Sequence, residues 1–492
     1  MLSHLPILQV IVPLLGAPAC LILGRARLAW AFSLLVSMLS LFMAALLLLQ
    51  VHDTGTISYA LGGWDAPWGI EYRIDLLNAW LLLIVAGSST LALLAAQTSI
   101  SREIAAEKQV FFYVAWLLCL AGLLGILATG DAFNVFVFLE ISSLSTYTLV
   151  SLGKDRKALW AAFRYLILGT IGATFILIGI GFMYMMTGTL NMADLAQRLP
   201  AINDSYTVVA AYAFIIVGIC LKLALFPLHN WLPGAYSQAP SVVTVFLAAS
   251  STKVAVYLLI RFTYTVFPAN FRAGDFPLYD IFVALGVLAV FMASAAAIYQ
   301  GNIKRAIAYS SIGQIGYMII GLGLGSAMGL QATLLHLFNH ALMKAALFMA
   351  LAAMIYRVGS AQLSDMKGLG KQMPWTSMSF VLGGLSLIGV PLTVGFVSKW
   401  YLVSAAVAEG RWPVAFLVVF GSLLAIAYIW RVVETLYFQK PSETALTVKE
   451  APLPFLLPIW LLIIGNLYFG IDTRLPVVIT AEAAMTLMGG TP

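Results

Sequence analysis

The sequence predicts an all-α, polytopic membrane protein. The chain has 492 residues, of which 62% are hydrophobic and only 9% are charged, whereas roughly 25% of residues are charged in soluble proteins. Apolar stretches recur from one end to the other, and each is long enough to cross about 30 Å of hydrocarbon as a helix. This composition excludes a soluble globular protein.

About fourteen membrane spans follow from these stretches. They cover residues 5–23, 28–50, 75–97, 109–128, 131–152, 159–187, 206–226, 239–262, 279–300, 304–325, 329–357, 374–407, 413–438 and 452–471. The sixth, eleventh and twelfth are longer than a crossing needs, which predicts tilt or interruption. Pro227 and Pro391 predict breaks at the seventh and twelfth spans, because proline removes a backbone donor and clashes with the preceding turn.

Charge between the spans predicts orientation. Loops after odd-numbered spans hold most of the loop lysines and arginines, and such loops are cytoplasmic. Both termini are therefore expected on the non-cytoplasmic side of a cell membrane. The net charge of +6 is a topology signal on this interpretation, and no nucleic-acid partner is expected.

A weak internal repeat divides the chain. TGTLNMADL at 187–195 resembles VGSAQLSDM at 358–366, with the glycines 171 residues apart. The implied unit holds five spans, and an odd number inverts the second copy, as in many transporters. The predicted regions are an N-terminal region 1–108, two five-helix repeats at 109–265 and 277–438, and a C-terminal region 439–492.

Charged side chains inside the spans are the candidate functional residues. The deep ones are Glu140, Lys222, Lys253, Lys344 and Lys399. An ionised group at a helix centre costs roughly 2.5 to 3.5 kcal/mol, so these groups must pair, bind water or face a polar interior. Structural ion pairing is one alternative, but four lysines exceed one carboxylate. Arg261, near a span end, is expected to snorkel to the interface.

Histidines extend this set. His336, His340 and Lys344 follow one another at intervals of four residues and so share one helical face. Such a stripe is typical of a proton relay, since histidine titrates near neutral pH. A zinc site is the alternative, but HLFNH lacks the glutamate of HExxH and no third ligand is evident. His229 follows the predicted break at Pro227, where water is expected to gather.

Sequence motifs for other chemistry are missing. The three cysteines lie apart in apolar segments, which indicates packing and no metal or iron-sulfur site. GLGLG at 321–325 lacks the strand and helix of a nucleotide loop. We therefore expect no cofactor and no redox or catalytic site, and whether the chain counts as an enzyme depends on the complex around it.

With these motifs, the chain resembles the antiporter-like proton-channel family, which includes Mrp-type sodium/proton antiporter subunits, large membrane subunits of respiratory complex I and relatives in energy-converting hydrogenases. The resemblance lies in FLEISSLSTY, KLALFPLHNWLPGAYSQAPSVV, SSTKVAVYLLIR, HLFNHALMKAALF and GFVSKWYL. It implies that Glu140 and Lys222 form a coupling pair. It further implies that protons pass through Lys253, His336, His340 and Lys344 to Lys399.

The resemblance also implies partners. The first hypothesis is a proton-translocating subunit of a multisubunit cation antiporter, in contact with other membrane subunits, lipid, protons and Na⁺. LGGWDAPWGIEY at 61–72 most resembles D-type Mrp subunits. The second hypothesis places the same module in a redox-driven complex, and the third is a structural subunit with fixed ion pairs.

Overall fold

A computed structural model describes residues 2–202, 204–267, 271, 276–442 and 446–489. Nearly all of these residues are helical. The helices are α1 Leu5–Leu23, α2 Ala26–Thr54, α3 Leu76–Glu103, α4 Gln109–Ala128, α5 Ala132–Ser151, α6 Lys157–Thr187, α7 Met192–Arg198, α8 Tyr206–Leu223, α9 Leu232–Gln238, α10 Ser241–Ala249, α11 Ser251–Arg261, α12 Leu278–Ile298, α13 Ile303–Gly323, α14 Ala327–Val358, α15 Pro374–Ile388, α16 Val394–Ala408, α17 Trp412–Tyr437, α18 Leu453–Ile471 and α19 Arg474–Leu487.

The predicted fold class is confirmed. Within the described residues, 13 helices are long and apolar enough to span a membrane. The shorter apolar helices α15 and α16 form the two halves of the predicted twelfth span. Exposed leucines and aromatic residues lie on outer helices such as α2 and α17, as expected for surfaces that contact lipid.

The helices that carry the buried charges form the centre. In the α10–α11 region and in α13, 94% of the residues in the most apolar stretch are buried. α14 lies between them and packs against α10, α13 and α16. α14 corresponds to the eleventh predicted span, for which tilt or interruption was expected. It is one uninterrupted helix of 32 residues.

Three breaks interrupt the central helices. α8 ends at Leu223, followed by Ala224 in the left-handed region at φ 59°. α15 ends at Ile388, followed by Gly389 at φ 95°. These two breaks contain Pro227 and Pro391 and were predicted. The third was not: α10 and α11 are separated at Ser250, whose φ of −120° and ψ of −60° depart from helical geometry.

Two further elements were missed by the sequence analysis. Strands β1 Ile57–Ala60 and β2 Glu71–Ile74 form an antiparallel hairpin that packs beside the end of α4, where Gly130 N–H donates to the Glu71 carbonyl at 2.8 Å. We call this end of the molecule the hairpin face. The helix α19 lies in what was expected to be a C-terminal tail, and it packs against α14.

The repeat spacing recurs in the hydrogen bonds. Isolated bridges join Asp131 to Asn191 and Asn302 to Gln362, and the second pair lies 171 positions after the first. The first bridge joins the start of α5 to the segment that follows α6. The second joins the start of α13 to the segment that follows α14. The inverted relation of the two units remains a prediction.

Close glycine contacts hold neighbouring helices together. α6 and α8 meet at Gly172 and Gly218, and a Cβ on Gly218 would lie 2.5 Å from the Gly172 carbonyl oxygen. The second unit has the same device at Gly286 and Gly316. Small residues of this kind allow backbones in a membrane to approach closely.

We therefore expect Gly218→Ala to destabilise the protein. The new methyl group has no space against the α6 backbone, and overpacking costs about 1 to 3 kcal/mol. Thermal unfolding of the purified protein in detergent should occur at a lower temperature. Gly181→Ala is the matched control, because a Cβ there meets nothing within 4 Å, and an equal loss in both variants would refute the packing argument.

Candidate functional site

Glu140 and Lys222 lie opposite each other across α5 and α8. The Lys222 Nζ atom is 3.8 Å from Glu140 Oε1. The Lys222 side chain is 8% exposed and the Glu140 side chain is 27% exposed. Lys222 lies at the end of α8. The helix break thus places the ammonium group beside a carboxylate, as the family resemblance implied.

Hydroxyl groups complete the surroundings of Lys222. Its ammonium donates to Ser143 Oγ at 2.8 Å and to the Tyr147 hydroxyl at 3.4 Å. A cavity of about 30 Å³ adjoins these groups and extends to Ser251 at the start of α11. That volume is enough for at least one water molecule, since one requires roughly 10 to 15 Å³. The cavity therefore joins Lys222 to α11, the helix that bears the next lysine.

Lys253 lies in the first turn of α11 and is fully buried. Its ammonium donates to the Ala248 carbonyl, at the end of α10, and to Thr252 Oγ1 at 3.5 Å. The last carbonyls of a helix have no partner within the helix. The unpredicted break at Ser250 therefore provides the acceptor that this buried cation needs.

The stripe on α14 follows. The rings of His336 and His340 are nearly parallel, with their centres 6.0 Å apart, and the charge of Lys253 acts on both. Neither ring nitrogen of His340 has a hydrogen-bond partner within the described chain. Lys344 donates to Ser310 Oγ at 2.5 Å and to the Ile307 carbonyl at 2.9 Å, both on α13. The predicted stripe is thus assembled beside Lys253.

Lys399 forms the far end of the row. Its ammonium donates to the carbonyls of Leu387 and Ile388, at 2.9 and 3.0 Å, where α15 ends. The preceding residue, Ser398, shares a hydrogen bond of 2.8 Å with His336 Nδ1. This contact connects Lys399 to the histidines.

The accessory residues lie in the breaks. Pro227 and Pro391 fall between the helical halves, as expected. His229 stacks on Phe226 at 5.2 Å, and its Nδ1 has no partner in the described part of the protein. These contacts lie within the break that bears His229, so the structure does not bring it into the row of lysines.

The groups that form hydrogen bonds with the lysines and with His336 were not predicted from the sequence. Besides the helix-end carbonyls, these groups include the hydroxyls of Ser143, Tyr147, Ser310 and Ser398. Serines and tyrosines are too common in such segments to be singled out.

The expectation for Arg261 was wrong. Arg261 is buried and binds Asp75 at 2.7 Å, because an ion pair is available where α3 begins.

Asp75 caps the start of α3 outside the helix itself. Burial opposes ionisation of its carboxyl group, but Arg261 and the Asn78 backbone amide more than offset that effect, and the pKa of Asp75 is lowered. The pair therefore stays charged at neutral pH.

Among the residues that the structure describes, no group of three or more His, Cys, Asp or Glu residues could hold a metal ion.

Two known proteins are similar in sequence to this chain over nearly its whole length. Over 487 residues the chain is 41% identical to NADH-quinone oxidoreductase subunit N of Desulforudis audaxviator, covering 96% of each chain. It is 28% identical to the D-type subunit of the Na(+)/H(+) antiporter of Bacillus subtilis, covering 99% of this chain and 98% of that one.

Among solved structures, a chain of the Mrp complex from Dietzia aligns with a TM-score of 0.90 and 25% identity, covering 99% of this chain and 97% of that one. The family model described as NADH:quinone oxidoreductase/Mrp antiporter, transmembrane, matches residues 129–440. That range contains both proline-bearing breaks and the histidine stripe. The chain is a multi-pass membrane protein that belongs to the NADH:quinone oxidoreductase/Mrp antiporter family.

Proposed function

We propose that this protein is a proton-translocating subunit of a multisubunit Na⁺/H⁺ antiporter. Protons move along Glu140, Lys222, Lys253, His336, His340, Lys344 and Lys399 near the membrane midplane. The observation that carries the proposal is the arrangement of this buried row. A cavity joins Lys222 to α11, the helix that bears Lys253. The charge of Lys253 acts on the two histidines and Lys344 of α14, and His336 contacts Ser398, the neighbour of Lys399.

Structural ion pairing does not explain this row. Of its four lysines, Lys222 alone has a carboxylate oxygen within 4.0 Å in the described chain. The other three rest on carbonyl and hydroxyl oxygens, which satisfy hydrogen bonds without neutralising charge. An ammonium group buried in this way loses its proton more readily than one in water. Such groups exchange protons, whereas a fixed ion pair does not.

The Glu140–Lys222 pair is the switch in this proposal. A carboxylate beside an ammonium group stabilises its charged form, and separating the two favours proton release. At 3.8 Å the pair is close enough to interact and loose enough to separate. A proton released from Lys222 passes through the small cavity to Lys253, then by the histidines to Lys399.

The finer features of the proposal come from relatives and from the loop charges. Exchange of Na⁺ is carried over from the antiporter relative in Bacillus subtilis. Other membrane subunits as partners follow from the likeness to a chain of the Mrp complex. The distribution of basic loops supports a cell membrane location with both termini on the non-cytoplasmic side, and the constant repeat offset supports two inverted five-helix units.

A second candidate is a proton-pumping subunit of a redox-driven complex. It is favoured by the 41% identity to NADH-quinone oxidoreductase subunit N. Purification of the intact complex separates the two functions. Partner subunits that carry flavin or iron-sulfur absorption would support redox drive, and their absence together with Na⁺-dependent proton movement in vesicles would support the antiporter.

Lys222→Ala tests the proposal directly. Removing the ammonium group interrupts the row at its switch, so we expect at least a roughly tenfold loss of proton transport. The measurement is dye-monitored proton movement in membrane vesicles that contain the whole complex. Lys157→Ala, at an exposed position, is the control. Loss of assembly without a separate transport defect would favour a scaffold role.

His340→Leu separates transport from stability. His340 is fully buried with both ring nitrogens unpartnered in the described chain, and an unsatisfied buried polar group costs about 1 to 3 kcal/mol. Leucine should therefore keep or raise thermal stability while transport falls by an order of magnitude. Asn339→Leu is the contrast, since it removes a 2.6 Å bond to the Val394 carbonyl and should lower stability. Reduced stability with full transport in His340→Leu would contradict the relay.

A further inference from the structure

A charged cluster lies outside the proposed relay, on the face opposite the hairpin. Here a cavity of about 570 Å³ is lined by the end of α3, the junction of α9 and α10, the start of α13 and the end of α14. Two of its residues, Glu103 and Lys304, come from α3 and α13. The cavity thus brings together the first repeat, the second repeat and the N-terminal helices.

Glu103 holds the beginning of α10. One carboxylate oxygen accepts a hydrogen bond from the Ser241 backbone amide at 2.8 Å, and the other accepts one from Ser99 Oγ at 2.5 Å. Free amide groups and the positive end of the helix dipole meet at a helix N-terminus, which favours an anion there. The negative charge at the N-terminus of α10 therefore comes from Glu103 on α3.

Lys304 is the countercharge. It is buried, it donates to the Ala239 carbonyl at 2.5 Å just before α10, and the charge of Glu103 acts on it. The remaining charged residues that line the cavity are Arg102, Lys154, Asp155, Lys157 and Arg357. The first four of these are exposed, so water screens them far more than it screens Lys304.

The other end of α10 meets Lys253. All nine residues of α10 are buried, and none is charged. Its Ala248 carbonyl receives the Lys253 ammonium. A helix of nine residues is about 13 Å long, and charges at that separation still interact when dry protein lies between them. α10 is thus a short apolar helix with an acid at its positive end and a base at its negative end.

We infer that Glu103 and Lys304 are positioning residues that set the electrostatic potential at Lys253 through α10. This inference rests on the proposed proton relay. The other charged or titratable groups on which the charge of Lys253 acts are His336, His340 and Lys344 on α14. On the side of α8, Lys222 borders the small cavity that reaches α11 at Ser251. Every charged member of that set is a cation or becomes one, so Glu103 supplies the negative charge on the α10 side.

The test uses opposite charge changes at the two residues. Glu103→Gln keeps an oxygen for the Ser241 amide but removes the negative charge. Transport depends on protonated Lys253, so the pH of half-maximal transport on the alkaline limb should fall, by about 0.3 to 1 unit. Lys304→Gln removes the positive charge and should raise that pH by a similar amount. The double variant should return to within about 0.2 units of wild type.

A purely structural role cannot produce shifts of opposite sign that cancel. The measurement is proton transport against pH in vesicles containing the whole complex, with Asp155→Asn as the control for a screened charge in the same cavity. Superimposed profiles, shifts in one direction for both variants, or an equal shift in Asp155→Asn would overturn the inference. If Glu103→Gln does not assemble, Lys304→Gln decides: a rise supports the inference, and no rise overturns it.

Lys222→Ala in the same vesicles keeps the two proposals apart. If Lys222→Ala abolishes transport while the Glu103 and Lys304 profiles match wild type, the inference about α10 fails and the relay stands. If Lys222→Ala transports like wild type, the proposed relay fails, and the inference that depends on it fails with it.

Discussion

The structure depends on how it supplies oxygen atoms to ammonium groups in the middle of a membrane. Most carbonyls of a continuous helix already accept a hydrogen bond within it, and lipid provides no acceptors. This protein interrupts three central helices and uses the carbonyl groups at two of the breaks. Lys253 binds the end of α10, and Lys399 binds the end of α15. Two of the breaks therefore supply acceptors to buried charges, and the apolar helices around them exclude lipid from those charges.

The two repeat units use this device differently. Lys222 lies before its break, whereas Lys399 lies after its break and reaches back to it. The position 171 residues after Glu140 is Ser311, so the second unit has no carboxylate where the first has one. One end of the row is thus a charged pair and the other is a cation held by dipoles. The asymmetry gives the two ends different chemistry within a shared architecture.

Much of this could be predicted from the sequence, and the rest has identifiable causes. The apolar spans, the two proline-bearing breaks and the row of titratable residues follow from hydropathy, proline and charge, which are local signals. The break at Ser250 carries no proline or glycine, so no local signal marks it. The same holds for the Arg261–Asp75 pair, whose partners are 186 residues apart in the chain. The hairpin was not predicted because strands of four residues are too short to show a clear alternation of apolar and polar residues.

The glycine on α6 that faces Lys222 has a mechanical consequence. Gly172 lies against the stem of Lys222, since a Cβ there would be 3.7 Å from Lys222 Cγ and 3.0 Å from the Gly218 carbonyl oxygen. The stem of the lysine therefore passes close to the α6 backbone, while its Nζ atom borders the cavity beside Ser143. The free space therefore adjoins the ammonium end of Lys222, which leaves room for its distance from Glu140 to change without a displacement of α8.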